Sequence, residues 1–236
     1  MVGIIGAMAV EVDEIRSLLQ GREALSVGCT EFCTGTLHGK PAVVAACGVG
    51  KVNAALCAQA MLLHFRPALI VNVGVGGGLL PDMRIGDIAI ASHVVQHDMD
   101  TSPLGEPRGY ISNLRCVRIP CCAQAVSALL EAAQGLEGVR AHVGVIATGD
   151  RFVDKPEIKA DLTEQFGAIA CEMEGAAVGQ VCALHGAQFC VVRAISDGGG
   201  EGSALDFKAF ARQAAQRSAA LLSSAFSSLD KVGQNL

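Results

Sequence analysis

The residues of this chain that could do chemistry are acidic side chains that follow apolar runs. Glu11 comes just after the apolar run that begins the sequence, and Glu174 and Asp197 follow two later apolar runs. A charge at the end of an apolar strand is costly unless it is paired, solvated or part of a site. Two carboxylates in different surroundings can serve as an acid and a base. These positions are therefore candidates for acid–base chemistry.

Each candidate also has an interpretation without chemistry. Glu11 would place favourable negative charge in the first turn of a helix, and so would Glu172 and Glu174. We expect these last two side chains to point to different sides, so that at most one of them faces a given pocket. Asp197 would cap the helix that ends the chain, although three glycines follow it directly. The pattern alone leaves both interpretations open.

Two motifs for nucleotide phosphates are absent. A P-loop requires G-x-x-x-x-G-K-[ST], and aligning this pattern on Gly50 and Lys51 places Ala45 at its first glycine and Val52 at its last position. A dinucleotide fingerprint that starts at Gly74 fails because its third glycine is replaced by leucine. We therefore expect the glycines either to let backbone approach an uncharged ligand or to form tight turns.

Serine-nucleophile and metal-site patterns are also missing. The sequence has no G-x-S-x-G, and its six histidines have no H-E-x-x-H spacing. Its ten cysteines include no C-x-x-C, and most lie in apolar strings, as Cys47 and Cys190 do. We interpret them as buried, reduced thiols, which predicts a cytoplasmic protein. We expect neither a metal nor another cofactor.

Composition and charge exclude several classes of protein. The sequence is 51% apolar and 17% charged, with a mean hydropathy of +0.42. A membrane span needs roughly 18 or more consecutive apolar residues, and the most apolar segment, 67–81, is interrupted by Asn72 and glycines. The first residues lack the basic region of a secretory signal. The net charge of −5, without a basic run, argues against nucleic-acid and membrane partners.

Apolar runs of strand length alternate with stretches of helical spacing. Strands are predicted over 2–8, 68–75, 85–95, 141–148, 168–171 and 188–195, with two more in 23–48 that meet at 38–41. Helices are predicted over 11–20, 52–65, 124–134, 156–165, 173–185 and about 207–229. This order predicts a single α/β domain over 1–236, with a partly parallel sheet between helices. The long loop 99–120 is expected to be functional or to pack on a partner.

Several motifs resemble, in order and spacing, those of the 5′-methylthioadenosine/S-adenosylhomocysteine nucleosidases of the nucleoside phosphorylase superfamily. They are GIIGAM followed by Glu11, HDMD, TGDRF, CEMEGAA and VVRAISDGGG. The resemblance covers essentially the whole chain. It implies a three-layer α/β/α sandwich with a central mixed, largely parallel sheet, a nucleoside phosphorylase-like domain. It also implies a homodimeric hydrolase that releases adenine from 5′-methylthioadenosine, S-adenosylhomocysteine or both.

The resemblance further implies roles for individual residues. Asp197 would protonate N7 of adenine, Glu11 would hold and activate the attacking water with help from Arg193, and Glu174 would bind the ribose hydroxyls. The other implied substrate contacts are Met8 and Met173 at the sugar, Phe152 and Val153 at adenine, Val49 and Phe207 at the 5′ substituent, and Val75, Glu172 and Ser196 beside them.

Water is favoured over phosphate as the nucleophile. A phosphate site needs cations and hydroxyl groups, whereas the loop before Glu11 offers Met8, Ala9 and Val10. A phosphate-dependent nucleoside phosphorylase, a nucleosidase for 5′-deoxyadenosine or for a futalosine-type nucleoside, and a nucleoside-binding module without turnover remain as alternatives.

The chain departs from the family pattern in three places. Ala9 and Val10 stand where relatives carry more acidic residues, and Val75 stands where many have serine. The segment after HDMD, which in the family reaches into the partner's active site, offers Thr101, Leu104 and Glu106 where relatives are more apolar or aromatic. These differences leave the preferred 5′ substituent open.

Overall fold

A computed structural model describes residues 1–232 of the chain. Its strands are β1 (Val2–Gly6), β2 (Gln20–Val27), β3 (Thr30–Leu37), β4 (Lys40–Ala46), β5 (Leu69–Gly78), β6 (Ile88–Gln96), β7 (Ile119–Pro120), β8 (Ala141–Thr148), β9 (Ala168–Glu172) and β10 (Gln188–Asp197). Its helices are α1 (Ala9–Leu18), α2 (Lys51–Phe65), α3 (Ala123–Gln134), α4 (Pro156–Phe166), α5 (Gly175–Leu184) and α6 (Ser203–Val232).

The strands form one mixed sheet. From β2 the order runs through β3, β4 and β1 to β5, and from there through β9, β8 and β6 to β10. Because β10 also pairs with β5, the last five strands close into a ring. The helices pack on this sheet in two groups, α1 and α3 with α6, and α2 with α5. The prediction of an α/β fold with a mixed central sheet is confirmed.

Strands β1 and β5 lie at the centre and are apolar at every position but one. Every residue of both strands is buried, which is typical of parallel strands covered on both faces. Asn72 is the polar exception in β5, and its side-chain amide donates a hydrogen bond of 2.8 Å to the Ile5 carbonyl. Buried apolar residues therefore form the centre of the sheet, and the polar residues lie where β1, β5, β9 and β10 end.

One part of the predicted strand pattern was wrong. Residues 23–48 were expected to hold two strands, but they belong to three, because the chain also turns at Gly28 (φ 60°) between β2 and β3. Strand β2 is exposed over nearly its whole length, so it has no buried face and no apolar alternation to mark it. Strand β5 also runs on through its glycines to Gly78, and α6 begins at Ser203.

The segment 99–120 is tied down at its base and open at its tip. Arg108 donates through Nε to the His97 carbonyl (2.8 Å), and its guanidinium pairs with Asp161 of α4 at 2.7 Å. A short 3₁₀ turn follows Met99, and within it Leu104 is 82% exposed. The segment thus presents an apolar side chain to solvent on an anchored support.

No helix within residues 1–232 combines the length and the apolar character that crossing a bilayer would require.

Candidate active site

A cavity of about 300 Å³ opens where strands β1, β5, β9 and β10 end. This is the edge of an α/β sheet at which ligands usually bind, and the volume lies at the lower end of the range for small-molecule sites, about 300–1,000 Å³. The lining residues are Ala7, Met8, Glu11, Val49, Val75, Gly76, Gly77, Arg151, Phe152, Val153, Cys171, Glu172, Met173, Glu174, Ser196, Asp197 and Phe207.

Glu11 lies in the first turn of α1 and its carboxylate is held by three backbone N–H groups. Ala7 and Met8 donate to Oε2 at 2.7 and 2.9 Å, and Val75 donates to Oε1 at 3.0 Å. Burial raises the pKa of Glu11, while Arg193 and these N–H groups act in the opposite direction. Backbone N–H groups cannot become acceptors, so the arrangement suits an ionised carboxylate that is a stronger base than an exposed glutamate.

Asp197 ends β10 on another side of the cavity and has different partners. Gly199 N–H donates to Oδ1 and the Ser196 hydroxyl donates to Oδ2, both at 2.9 Å. Burial raises the pKa of Asp197, against the effect of these hydrogen bonds. A hydroxyl can either donate or accept, so Ser196 can accept a hydrogen bond from a protonated Oδ2. The surroundings of Asp197 therefore allow a protonated carboxyl group, whereas the backbone donors around Glu11 favour an ionised one.

Both glutamates of the EME segment line the cavity, which contradicts the expectation that only one would face it. Residues two apart in an extended chain lie on the same side, so the expectation misapplied the alternation of a strand. Here β9 ends at Glu172 and the chain bends at Met173 and Glu174, so that all three residues line the cavity. Burial, followed by repulsion from Glu172, raises the pKa of Glu174 to about 7. The N–H of Gly50 donates to Oε1 of Glu174 at 2.8 Å, which leaves acceptor sites on this carboxylate for a ligand.

Glu172 and Arg193 are partners of one another. The Arg193 guanidinium and the Thr148 hydroxyl both donate to Glu172, and Gly175 N–H donates to its Oε2 at 2.7 Å. Arg193 is 1% exposed and also donates to the Asn72 carbonyl. Arg193 therefore lies behind the cavity wall, and among the predicted site residues it is the one that does not line the cavity.

Two glycines of β5 make room for the carboxylates. A Cβ atom at Gly74 would lie 2.6 Å from Oε1 of Glu11, and one at Gly77 would lie 2.9 Å from Oδ1 of Asp197. Such distances are too short for any side chain. The sequence suggested close approach to a ligand or tight turns for these glycines, whereas the structure uses these two to bring the protein's own acids against the sheet.

Two aromatic rings form the open side of the cavity. Phe152 and Phe207 meet edge to face, with ring centroids 5.7 Å apart and planes 80° apart. Phe152 is 39% exposed, so part of its ring is free to contact a ligand. Val49 is half exposed beside them. This side of the site is apolar and can cover a flat ring or an apolar substituent.

The cavity is also lined by the remaining predicted contacts, Met8, Val75, Val153, Met173 and Ser196. No residue of the 99–120 segment of the same chain lines it. Sequence reasoning missed Ala7, Gly76, Gly77, Arg151 and Cys171 as lining residues. Four of them adjoin a predicted site residue and Gly77 lies two positions from Val75, so proximity in the chain was the available signal. Within residues 1–232 there is no cluster of three or more side chains suited to hold a metal ion.

Known proteins resemble this chain in both sequence and structure. The sequence model of the phosphorylase superfamily matches residues 1–227. A 5′-methylthioadenosine/S-adenosylhomocysteine nucleosidase of Geobacillus thermodenitrificans is 42% identical over 224 residues, 93% of each chain. The crystal structure of the nucleosidase of that name from Neisseria meningitidis, in complex with methylthio-immucillin-A, superposes with a TM-score of 0.93 at 32% identity, covering 96% of this chain and 98% of that one.

A futalosine hydrolase of Helicobacter pylori is also similar, with a TM-score of 0.91 at 36% identity over 96% of this chain and 97% of that one. The extent of these matches, together with the shared fold, identifies the family. The chain belongs to the phosphorylase superfamily and, within it, to the 5′-methylthioadenosine/S-adenosylhomocysteine nucleosidases.

Proposed function

We propose that this chain hydrolyses the bond between adenine and ribose in 5′-methylthioadenosine, in S-adenosylhomocysteine or in both, with water as the nucleophile. The observation that carries the proposal is the convergence of Glu11, Glu174 and Asp197 on one cavity. The named activities of the Geobacillus and Neisseria relatives support the reaction and the class of substrate.

Cleavage of this bond places negative charge on the departing base and positive charge on the sugar. Asp197 discharges the base by passing a proton from Oδ2 to N7 of adenine, and Ser196 supports the proton before transfer. Glu11 accepts a proton from the attacking water, and the carboxylates around the sugar stabilise its charge. Glu174 accepts hydrogen bonds from the ribose hydroxyls. Arg193 contributes from behind the wall, where its charge lowers the pKa of Glu11 against the effect of burial.

The other lining residues hold the substrate. Phe152 stacks on adenine and the backbone of Val153 contacts it, while Met8 and Met173 lie against the sugar. Val49 and Phe207 face the 5′ substituent, which fits an apolar methylthio group. The partly exposed ring of Phe152 and its edge-to-face contact with Phe207 support this placement.

The decisive experiment is adenine release from 5′-methylthioadenosine in a phosphate-free buffer. We expect full turnover, with free methylthioribose as the second product and no stimulation by added phosphate, because an acidic residue beside the sugar repels that anion. A requirement for phosphate, with release of a sugar 1-phosphate, would make the chain a phosphorylase. Tight binding without product over hours would make it a binding module.

The futalosine hydrolase among the similar structures supports one further candidate substrate. A panel of adenine nucleosides that differ only at the 5′ position, together with futalosine, distinguishes the candidates. The panel should include 5′-methylthioadenosine, S-adenosylhomocysteine and 5′-deoxyadenosine. The ranking of kcat/KM then identifies the substituent that the pocket of Val49 and Phe207 accepts.

The contact between Gly74 and Glu11 leads to a first mutational prediction. Gly74→Ala should lower kcat by about tenfold or more, because the new Cβ must displace the carboxylate that it would meet at 2.6 Å. The matched control is Gly78→Ala in the same strand, whose Cβ would meet Sδ of Met83 at 3.0 Å and Cγ2 of Ile195 at 3.1 Å, neither of which lines the cavity. Equal activity of the two variants would contradict the role of Glu11 geometry.

We also propose that the chain forms a homodimer through α2 and the 99–120 segment. Val52, Leu56 and Leu63 lie on one face of α2 and are 70%, 58% and 59% exposed, an apolar stripe that favours a protein partner. Lys51, at the start of this helix, pairs with Asp98 directly before the segment. Sedimentation at micromolar concentration should give a dimer, and Leu56→Glu should give monomers; a monomeric parent protein would refute the proposal.

We propose a cytoplasmic location and a single domain over residues 1–236. All ten cysteines are unpaired, which fits a reducing compartment, and the one continuous sheet fits a single folding unit.

A further inference from the structure

Three loops at the mouth of the cavity are joined by a ring of three residues, Lys51, Asp98 and Asp150. Lys51 Nζ lies 2.6 Å from Oδ1 of Asp98. The backbone N–H of Asp150 donates to Oδ2 of Asp98 at 2.9 Å, and the backbone N–H of Lys51 donates to Oδ1 of Asp150 at 2.8 Å. Each residue thus contacts the other two, and each comes from a different part of the chain.

Two members of the ring, Lys51 and Asp150, stand next to parts of the site, and Asp98 joins them. Lys51 follows Gly50, whose N–H donates to Glu174 at 2.8 Å. Asp150 precedes the segment 151–153, which lines the cavity beside Phe207. Asp98 precedes the segment 99–120. None of the three ring residues lines the cavity itself, so an effect on the substrate must act through these neighbours.

The loop before α2 depends on such support. Gly48 and Gly50 both have positive φ values, 89° and 100°, and glycine is the residue that loses most conformational freedom on ordering. Within residues 1–232, four side-chain contacts besides Lys51 hold this part of the loop. Asp150 and Glu174 accept from the N–H groups of Lys51 and Gly50, Asn53 donates to the Val49 carbonyl (2.7 Å), and the Cys47 thiol donates to the Gly48 carbonyl (3.1 Å). A Cβ at Gly50 would lie 3.1 Å from Oδ1 of Asp150, so the two loops are also closely packed.

We infer that Lys51, Asp98 and Asp150 are positioning residues. They hold Gly50 against Glu174 and hold the Phe152 segment over the base, so that the ribose and the base are both bound in one arrangement. This inference rests on the proposed function. It assigns substrate affinity, rather than the chemical step, to a set of residues that do not touch the substrate.

The charges of the ring favour a persistent contact. Burial opposes ionisation of Asp98, but the hydrogen bonds from Lys51 and from Asp150 N–H outweigh it and lower the pKa of Asp98. Lys51 Nζ also lies 3.3 Å from Oε1 of Gln96, and the amide of Gln96 donates to Gln180 of α5 at 2.5 Å. The ring is therefore linked to the helix that follows Glu174.

The ring is partly exposed, with Lys51 and Asp98 side chains 19% and 30% accessible. Ion pairs of this kind contribute little to the free energy of unfolding. Loss of the ring should therefore leave the melting temperature nearly unchanged, which allows an effect on the site to be separated from an effect on the fold.

The test is a comparison of Asp150→Ala with Asp150→Asn. Alanine removes the acceptor for Lys51 N–H, whereas asparagine retains Oδ1 and places its amide at Oδ2, which accepts no hydrogen bond from residues 1–232. We expect Asp150→Ala to raise KM for 5′-methylthioadenosine by about tenfold with kcat within about twofold of the parent, a loss of uniform binding. Asp150→Asn should restore the parent KM, and Lys51→Met should resemble Asp150→Ala.

Dissociation constants for 5′-methylthioadenosine, measured by calorimetry in an Asp197→Asn background, provide a readout that does not need turnover. They should rise in parallel with KM. Unchanged KM and dissociation constants in Asp150→Ala and Lys51→Met, with or without a lower melting temperature, would overturn the inference while leaving the proposed function in place. A parent protein that binds the nucleoside but does not turn it over would refute the function alone, and one that does not bind it would refute both.

Discussion

Replacing Asp197 with asparagine should reduce kcat for adenine release by roughly 10²–10⁴-fold, the range in which a general acid contributes. The amide cannot pass a proton to the base, yet it can keep both observed hydrogen bonds. Its oxygen can accept from Gly199 N–H and its nitrogen can donate to Ser196. The measurement is steady-state adenine release. The control is Asp154→Asn, because Asp154 is an exposed aspartate that does not line the cavity.

The pH dependence of stability separates this loss from unfolding. The pKa of Asp197 is raised in the folded protein, so its favourable contribution is present below the unfolded pKa and is lost as the pH rises through the folded pKa. A neutral asparagine does not carry this cost. Asp197→Asn should therefore melt at the same temperature as the parent, or higher, at neutral pH, and a lower melting temperature would count against the argument.

A substrate that needs no acid provides a further check. In the 4-nitrophenyl glycoside of 5-methylthioribose, the 4-nitrophenol leaving group departs as a stabilised anion. The ratio of parent to Asp197→Asn activity should therefore be much smaller for this compound than for the adenine nucleoside. Equal losses for both substrates would assign Asp197 to substrate binding instead of proton transfer.

Glu11→Gln should cause the second largest loss, about 10²–10³-fold in kcat, because the amide cannot accept a proton from water. Glutamine also directs an amide N–H towards a backbone N–H, either at Oε1 or at Oε2, since both oxygens of Glu11 accept such bonds. At least one backbone donor is then left without an acceptor, and a moderate fall in melting temperature is expected.

The design for Glu11 pairs turnover with binding. Glu14→Gln, an exposed residue in the same helix, is the matched control and should retain the parent kcat. The affinity of Glu11→Gln for adenine should stay close to that of the parent, because the base binds beside Asp197 and Phe152. Retention of kcat in Glu11→Gln would mean that another group, Glu174 in the first place, activates the water.

The position of the acids at the cavity could be predicted because it follows from local rules. Glu11 and Asp197 each follow an apolar strand, and the ends of neighbouring parallel strands meet at one edge of a sheet. The resemblance to a family then supplied their roles. Glu11 lies in the first turn of α1, which is where its interpretation as a favourable helix-terminal charge places it. The two interpretations describe the same carboxylate.

The parts that could not be predicted depend on contacts between distant residues. Arg193 was placed in the site by resemblance, but its direction is set by Glu172 and Asn72, which no local pattern connects to it. The sequence could not explain Gly74, because its lack of a side chain leaves room for the Glu11 carboxylate, which is distant in the chain. Strand β2 escaped prediction because pairing with β3, rather than burial, defines it.

The closure of five strands into a ring has a consequence for the protein at high concentration. Each strand of the ring has partners on both sides, so within residues 1–232 the long strand left with an unpaired side is β2. The free edge of β2 is therefore the long strand edge at which another molecule could pair, and such pairing is the usual first step of aggregation through strand edges. Its pairing is irregular between Gln20 and Glu23, and it carries Arg22 and Glu23; such bulges and charges discourage strand addition.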